Sequence, residues 1–203
     1  MKRSLVMPVM IVKEKLMELL LSILIGVSLS ATAGFRLFIP LLVLSGFSLL
    51  GWIELSPGFA WLGTYHAFAA LLIAAVLETV AYFFPYIDNL LGAAATPVKT
   101  IAGILIAASV MVEMPAMLTW TLAIILGGGS AFGGSLISNT AHAGSTVATG
   151  GSANPLLSIF ESIIAFVLSV LSILAPIIAI MVLALLALIV VRVYRRFKRN
   201  RVA

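Results

Sequence analysis

Cysteine is absent from the 203 residues, which excludes disulfides, thiol nucleophiles and zinc held by thiolates. Histidine is nearly absent: His66 and His142 are the only two, too few for a multi-histidine metal site within one chain. Charge is scarce too, at 9% of residues, where an ordinary soluble domain carries roughly 25%. No Walker loop, dinucleotide fingerprint, H-E-x-x-H or G-x-S-x-G elbow occurs. The glycine run "GGGSAFGG" lacks the Lys-Ser/Thr ending of a phosphate loop, which disfavours an ATP-driven pump. No cofactor and no metal site is expected.

What is present is apolar surface. Hydrophobic residues make up 63% of the chain and the mean hydropathy is +1.24. A soluble fold of this size has too little interior to hide so much. The composition implies an all-α, polytopic transmembrane bundle whose main partner is the lipid bilayer.

The net charge of +5 is gathered at the ends. Lys2, Arg3, Lys13 and Lys15 precede the first apolar run, and Arg192, Arg195, Arg196, Lys198, Arg199 and Arg201 follow the last. By the positive-inside rule both termini are expected on the cytoplasmic side of a multi-pass inner (plasma) membrane protein. The basic ends suit anionic lipid headgroups better than nucleic acid. The stretch from Leu16 to Leu29 with Ala31-Thr32-Ala33 looks like a cleavable signal, but a similar apolar-then-small pattern recurs in the second half, where a signal makes no sense.

Six to eight membrane segments are expected, from eight apolar runs: Leu16–Ala33, Phe35–Trp52, Tyr65–Phe84, Val98–Val112, Ala116–Leu126, Ala131–Thr149, Pro155–Leu174 and Pro176–Tyr194. A straight span needs about 20 residues, and several of these are shorter. The first pair and the fifth-plus-sixth pair therefore read as re-entrant hairpins, tolerated where protein or a wet cavity satisfies the backbone.

The runs also repeat. "LIGVSLSATAG" aligns with "IILGGGSAFGG", bringing Ser30 onto Ser130 and Gly34 onto Gly134. "LETVAYF" aligns with "FESIIAF", bringing Glu78 onto Glu161, and Pro97 onto Pro176 follows. The expected organisation is a basic segment 1–15, repeat one over 16–112, repeat two over 116–194 and a basic tail 195–203. Internal two-fold repeats belong to transporter folds, with the substrate site where the halves meet.

Chemistry is expected on a few groups. On a helix, Ser135, Ser138, Asn139, His142, Ser145, Thr146 and Thr149 share one face, which must meet another helix or water. Small residues in it suit close packing, whereas Asn139 and His142 suit a polar path. Glu78, Glu161 and Arg36 are intramembrane charges, which by default point to ion paths or pairing sites. Lys99 and Asp88 read as solvated or snorkelling side chains, and His66 with Tyr65 and Trp61 as an interfacial belt.

"GVSLSATAGFRLFIPLLVLSG" and "LGGGSAFGGSLISNTAHAGSTVATGGSANPLLSIFE" together resemble a bacterial family of integral membrane proteins defined only as a domain of unknown function. The likeness runs from about Leu19 to Tyr194. It implies a polytopic bacterial inner-membrane protein and brings no activity, substrate or site residue.

Three functions compete. A small secondary transporter or channel would move an ion or small polar solute along Arg36, Glu78, Ser135, Ser138, Asn139, His142 and Glu161. An enzyme on a lipid or polyprenyl phosphate would hold the phosphate with Arg36 and use a glutamate or His142 as acid or base. A scaffold would bind another membrane protein by its small-residue faces. A homo-oligomer is open in each case.

Overall fold

The computed structural model describes the backbone of residues 3–81, 85–112 and 114–199, and the side chains of 12–81, 95–112, 114–189 and 191–192. It is all-helical over the described residues. The elements are α1 (Arg3–Phe35), α2 (Phe38–Leu49), a 3-10 turn (Pro57–Gly63), α3 (Tyr65–Ala81), α4 (Pro85–Val110), α5 (Ala116–Leu122), a π-helical turn (Ala123–Gly128), α6 (Gly129–Thr149), α7 (Asn154–Leu174) and α8 (Pro176–Arg199).

By length and composition, Val12–Phe35, Ala116–Thr149 and Asn154–Leu174 can each cross a membrane. The 3-10 turn with α3 makes a fourth candidate, bent by 69°. Their outer faces are lined with exposed Leu, Ile, Val and Phe, as lipid-facing helices are.

Helix α2 turns back along α1. Leu44 of α2 packs with Leu29 and Ala33 of α1 in one core cluster, together with Leu55, Leu62, Ile106 and Val110. The first two segments thus lie side by side, and Val12–Phe35 is by itself long and apolar enough to cross a membrane. The fifth-plus-sixth hairpin expectation is overturned. Ala116–Thr149 is one continuous helical run, and the glycines that read as a turn are absorbed by a π-helical turn. The reason is packing. A side chain on Gly127 would sit 2.8 Å from the Gly103 carbonyl oxygen and 2.6 Å from Ala107 Cβ, so those glycines let α4 approach rather than break the helix.

Helix α1 crosses α6 at the other glycine pair. A Cβ on Gly34 would collide with the Ala131 carbonyl and lie 2.7 Å from Gly134 Cα, and a Cβ on Gly134 would collide with the Ala31 carbonyl. Ser30 Oγ donates to the Gly103 carbonyl at 2.6 Å, tying α4 to the same crossing.

Helix α4 runs opposite to α1: Lys99 meets Phe35 and Gly26 meets Ala107 and Val110. Helix α7 also opposes α1, with Thr32 beside Ser169 and Arg36 beside Ser158. Helix α8 climbs back, bringing Leu183 against the cluster of Phe35, Ile39, Ala75 and Ala165. All three tryptophans, Trp52, Trp61 and Trp120, are exposed near the end of the bundle where α2, α4 and α7 finish and α5 begins. That end is called the tryptophan end below. The α6–α7 turn lies at the far end.

Pro97 lies inside α4 rather than opening it, so the fourth segment begins earlier than its apolar run. Asn154 is the first residue of α7 and does not cap it. Its Nδ2 instead donates to Thr146 Oγ1 at 2.9 Å.

Candidate functional site

The break between α1 and α2 sits among charged side chains. A helix end leaves carbonyls or N–H groups without helical partners, and in an apolar surround each needs a substitute. At the start of α2 the N–H groups of Leu37 and Phe38 donate to Glu78 Oε1 and Oε2 at 2.7 and 3.0 Å. An anion at a helix N-terminus also meets the positive end of the helix dipole. At the end of α1 the Phe35 carbonyl accepts from Lys99 Nζ at 2.9 Å, a cation on the negative end. Lys99 is 2% exposed. The snorkelling expectation for it is therefore corrected: its ammonium is held inside by the carbonyl of a broken helix.

Between these two sits Arg36, which is fully buried. Its Nη2 donates to the Ser158 carbonyl at 2.8 Å and to Ser158 Oγ at 2.5 Å, and lies 3.4 Å from Glu161 Oε2. That same oxygen is 3.0 Å from His142 Nε2. A carboxylate only accepts, so the bond is made by the tautomer with its proton on Nε2, or by the imidazolium. Ser138 faces the same carboxylate from α6. Glu161 and His142 are buried, at 6% and 8% exposure. Seven residues separate Glu161 from the start of α7, about 10 Å along the helix, so the carboxylate lies well inside.

Arg36, His142, Glu161 and Ser138 thus meet. The other expected residues sit around them in different roles. Glu78 holds the α2 backbone beside Arg36. Ser135 Oγ donates to the Ala131 carbonyl on its own helix at 3.0 Å. Asn139 Nδ2 donates to Thr96 Oγ1 of α4 at 3.0 Å, joining helices rather than facing the carboxylate. The side chain of Asp88 lies outside the described residues. Trp61, Tyr65 and His66 are exposed. Among the described residues no three histidine or acidic side chains gather as a metal ion would require.

A cleft of about 280 Å³ opens at the tryptophan end, lined by Ser56, Phe59, Met111, Met114, Thr119 and Trp120 among others. None of the charged residues above borders it. They form a packed cluster.

Reasoning from sequence misplaced Lys99 and missed Ser158. Lys99 was detectable as a cation beside Pro97 within an apolar run. Ser158 carries no signal apart from its place one turn before Glu161.

Taken alone, a buried ion cluster is poor evidence for stability, because desolvating each charge costs several kcal/mol. Its position at a helix break is what points to function. No curated protein and no solved structure matches the chain. Residues 23–196 match a family model described as a domain of unknown function, DUF4126, and the chain belongs to that family.

Proposed function

We propose that this protein is a small secondary transporter or channel for an ion or small polar solute, working in a bacterial inner membrane. One observation carries the reading. A helix pair breaks inside the bundle, and the broken ends are held by Glu78 and Lys99 while Arg36, between them, pairs with Glu161 and His142. Discontinuous helices whose ends face charges within the apolar layer are what transport sites are built from, and α1 with α2 serves as the re-entrant pair.

The two repeats, 16–112 and 116–194, are part of this proposal. The reciprocal contact of Gly34 with Ala131 and of Gly134 with Ala31 supports them.

Charge predicts both termini on the cytoplasmic side. Helix direction speaks against it: α1 enters from the tryptophan end and α8 leaves toward the far end. With α1 and α2 dipping in and out, the two basic ends would face opposite sides.

The test is flux into liposomes holding the purified protein. Transport of an ion or solute by the wild type, weakened by Glu78→Gln and His142→Ala, supports the reading, and no movement of any ion or solute overturns it. A scaffold is the second reading, favoured by the close α1–α6 seam, and a stoichiometric co-purifying membrane protein would support it. The lipid-phosphate enzyme is less favoured, since Arg36 is fully buried within the protein.

A further inference from the structure

We infer that the ion this site handles is the proton, taken up by the His142–Glu161 pair; this rests on the transport reading and names its ion. The chemistry of the cluster excludes the other simple choices. A metal cation approaching Glu161 would meet the Arg36 guanidinium 3.4 Å from the same carboxylate oxygen. An anion approaching Arg36 would meet that carboxylate. A proton meets an imidazole nitrogen 3.0 Å from a carboxylate oxygen, a pairing of described side chains that can gain and lose an ion without rebuilding its shell. Among the described side chains, the charged or titratable groups around the pair are Arg36 itself and, at the neighbouring helix break, Glu78 and Lys99.

Buried hydroxyls lie on both sides of the pair, those toward the tryptophan end about two helical turns away along α7. Toward the far end, one turn along α6 from His142, Ser145 Oγ is buried and bonds to no protein group, with Thr146 and Asn154 beyond it. A water entering here would satisfy Ser145. Toward the tryptophan end, Thr32 Oγ1 and Ser169 Oγ lie 3.2 Å apart across the α1–α7 contact. Ser28 and Ser172 stand one turn further along the same two helices. All four are fully buried, and each donates to a carbonyl of its own helix while its oxygen can still accept. A hydroxyl oxygen in this seam can accept a hydrogen bond from water, which alanine or glycine at the same place would not offer.

The step balances without any other reagent. A proton arriving from the far end binds His142 Nδ1 and makes the imidazolium. The Nε2–H bond breaks as its proton moves to Glu161 Oε2, leaving a neutral imidazole protonated on Nδ1 and a neutral carboxylic acid. Glu161 then releases its proton toward the Thr32–Ser169 pair through intervening water and regains its ion pair with Arg36. Exchange of the imidazole tautomer through water resets the pair.

The experiment loads liposomes containing the purified protein with a pH-sensitive dye. It imposes a pH gradient with the membrane potential clamped by potassium and valinomycin, and counter-transport of labelled ions and small solutes is followed in parallel. Wild-type protein is expected to dissipate the gradient. Glu161→Gln and His142→Gln are expected to fall to the leak of empty vesicles, and Thr32→Val with Ser169→Ala to slow the flux while keeping the wild-type melting temperature. If an ion or solute moves while protons stay at the empty-vesicle leak, the proton assignment is overturned and the transport reading stands. If nothing moves, both fall. If Glu161→Gln does not fold, His142→Gln and the hydroxyl pair decide: wild-type proton flux in both overturns the relay.

Discussion

Gly34 of α1 and Gly134 of α6 lie against each other at the crossing of their helices, each where a Cβ would strike the backbone of the other. Small side chains replace the hydrophobic drive that is missing between helices in lipid, and this contact brings Arg36, two residues on, within reach of α6 and α7. Gly34→Leu is expected to force the helices apart, costing at least about 1–3 kcal/mol. A melting curve of the detergent-solubilised protein reads it, and an unchanged midpoint would mean that the two helices do not touch here.

Breaking the buried pair should cost more than removing it. Glu161→Leu removes the carboxylate 3.4 Å from the Arg36 guanidinium, an expected loss of about 3–5 kcal/mol. Adding Arg36→Met to that variant is expected to recover most of it, because an apolar pair replaces an ion pair. Additive losses in the double variant would show that the two side chains do not interact.

Glu78 serves as the missing N-cap of α2, since Leu37 offers no side-chain cap of its own. Glu78→Ala is expected to cost about 0.5–2 kcal/mol. Glu78→Gln keeps an acceptor oxygen and should cost less. Equal losses would mean that charge, rather than the hydrogen bonds, holds the break.

Lys99→Met removes the donor that reaches the Phe35 carbonyl. An unsatisfied carbonyl in an apolar surround predicts a loss of about 1–3 kcal/mol. Arginine at the same place, able to reach the same oxygen, should restore part of it.

The chain has no cysteine, so single cysteines can be placed without removing any. Gly58, open on the tryptophan-end turn, and Ser152, exposed in the α6–α7 turn, are expected to react with a membrane-impermeant maleimide from opposite sides. Tags at the two termini should do the same. Labelling of both termini from the cytoplasm would restore the placement that the terminal charges alone suggest.

Much of this was legible in the sequence for physical reasons. Helices α3 and α7 begin where a Thr-Tyr or an Asn-Pro pair ends a loop, and the α7 run is long enough to cross by itself. The face shared by Ser138 and His142 followed from helical period, and it does turn toward Glu161. The partners of that face were not legible. Arg36 reaches Ser158 across 122 residues and Lys99 reaches Phe35 across 64, distances no local pattern spans. The glycines before α6 misled for another reason. In water such a run unwinds, whereas here close approach of α4 holds it helical.

The π-helical turn at Ala123–Gly128 has one further effect. It fits one extra residue into the ladder, and each residue advances a helix by about 100°. Everything after it, Ser138 and His142 included, is thereby aimed. Delete a single residue from that turn and the imidazole swings roughly a quarter-revolution away from its carboxylate, with no change to either side chain. Where the polar stripe points is decided by a count kept nearly four helical turns earlier.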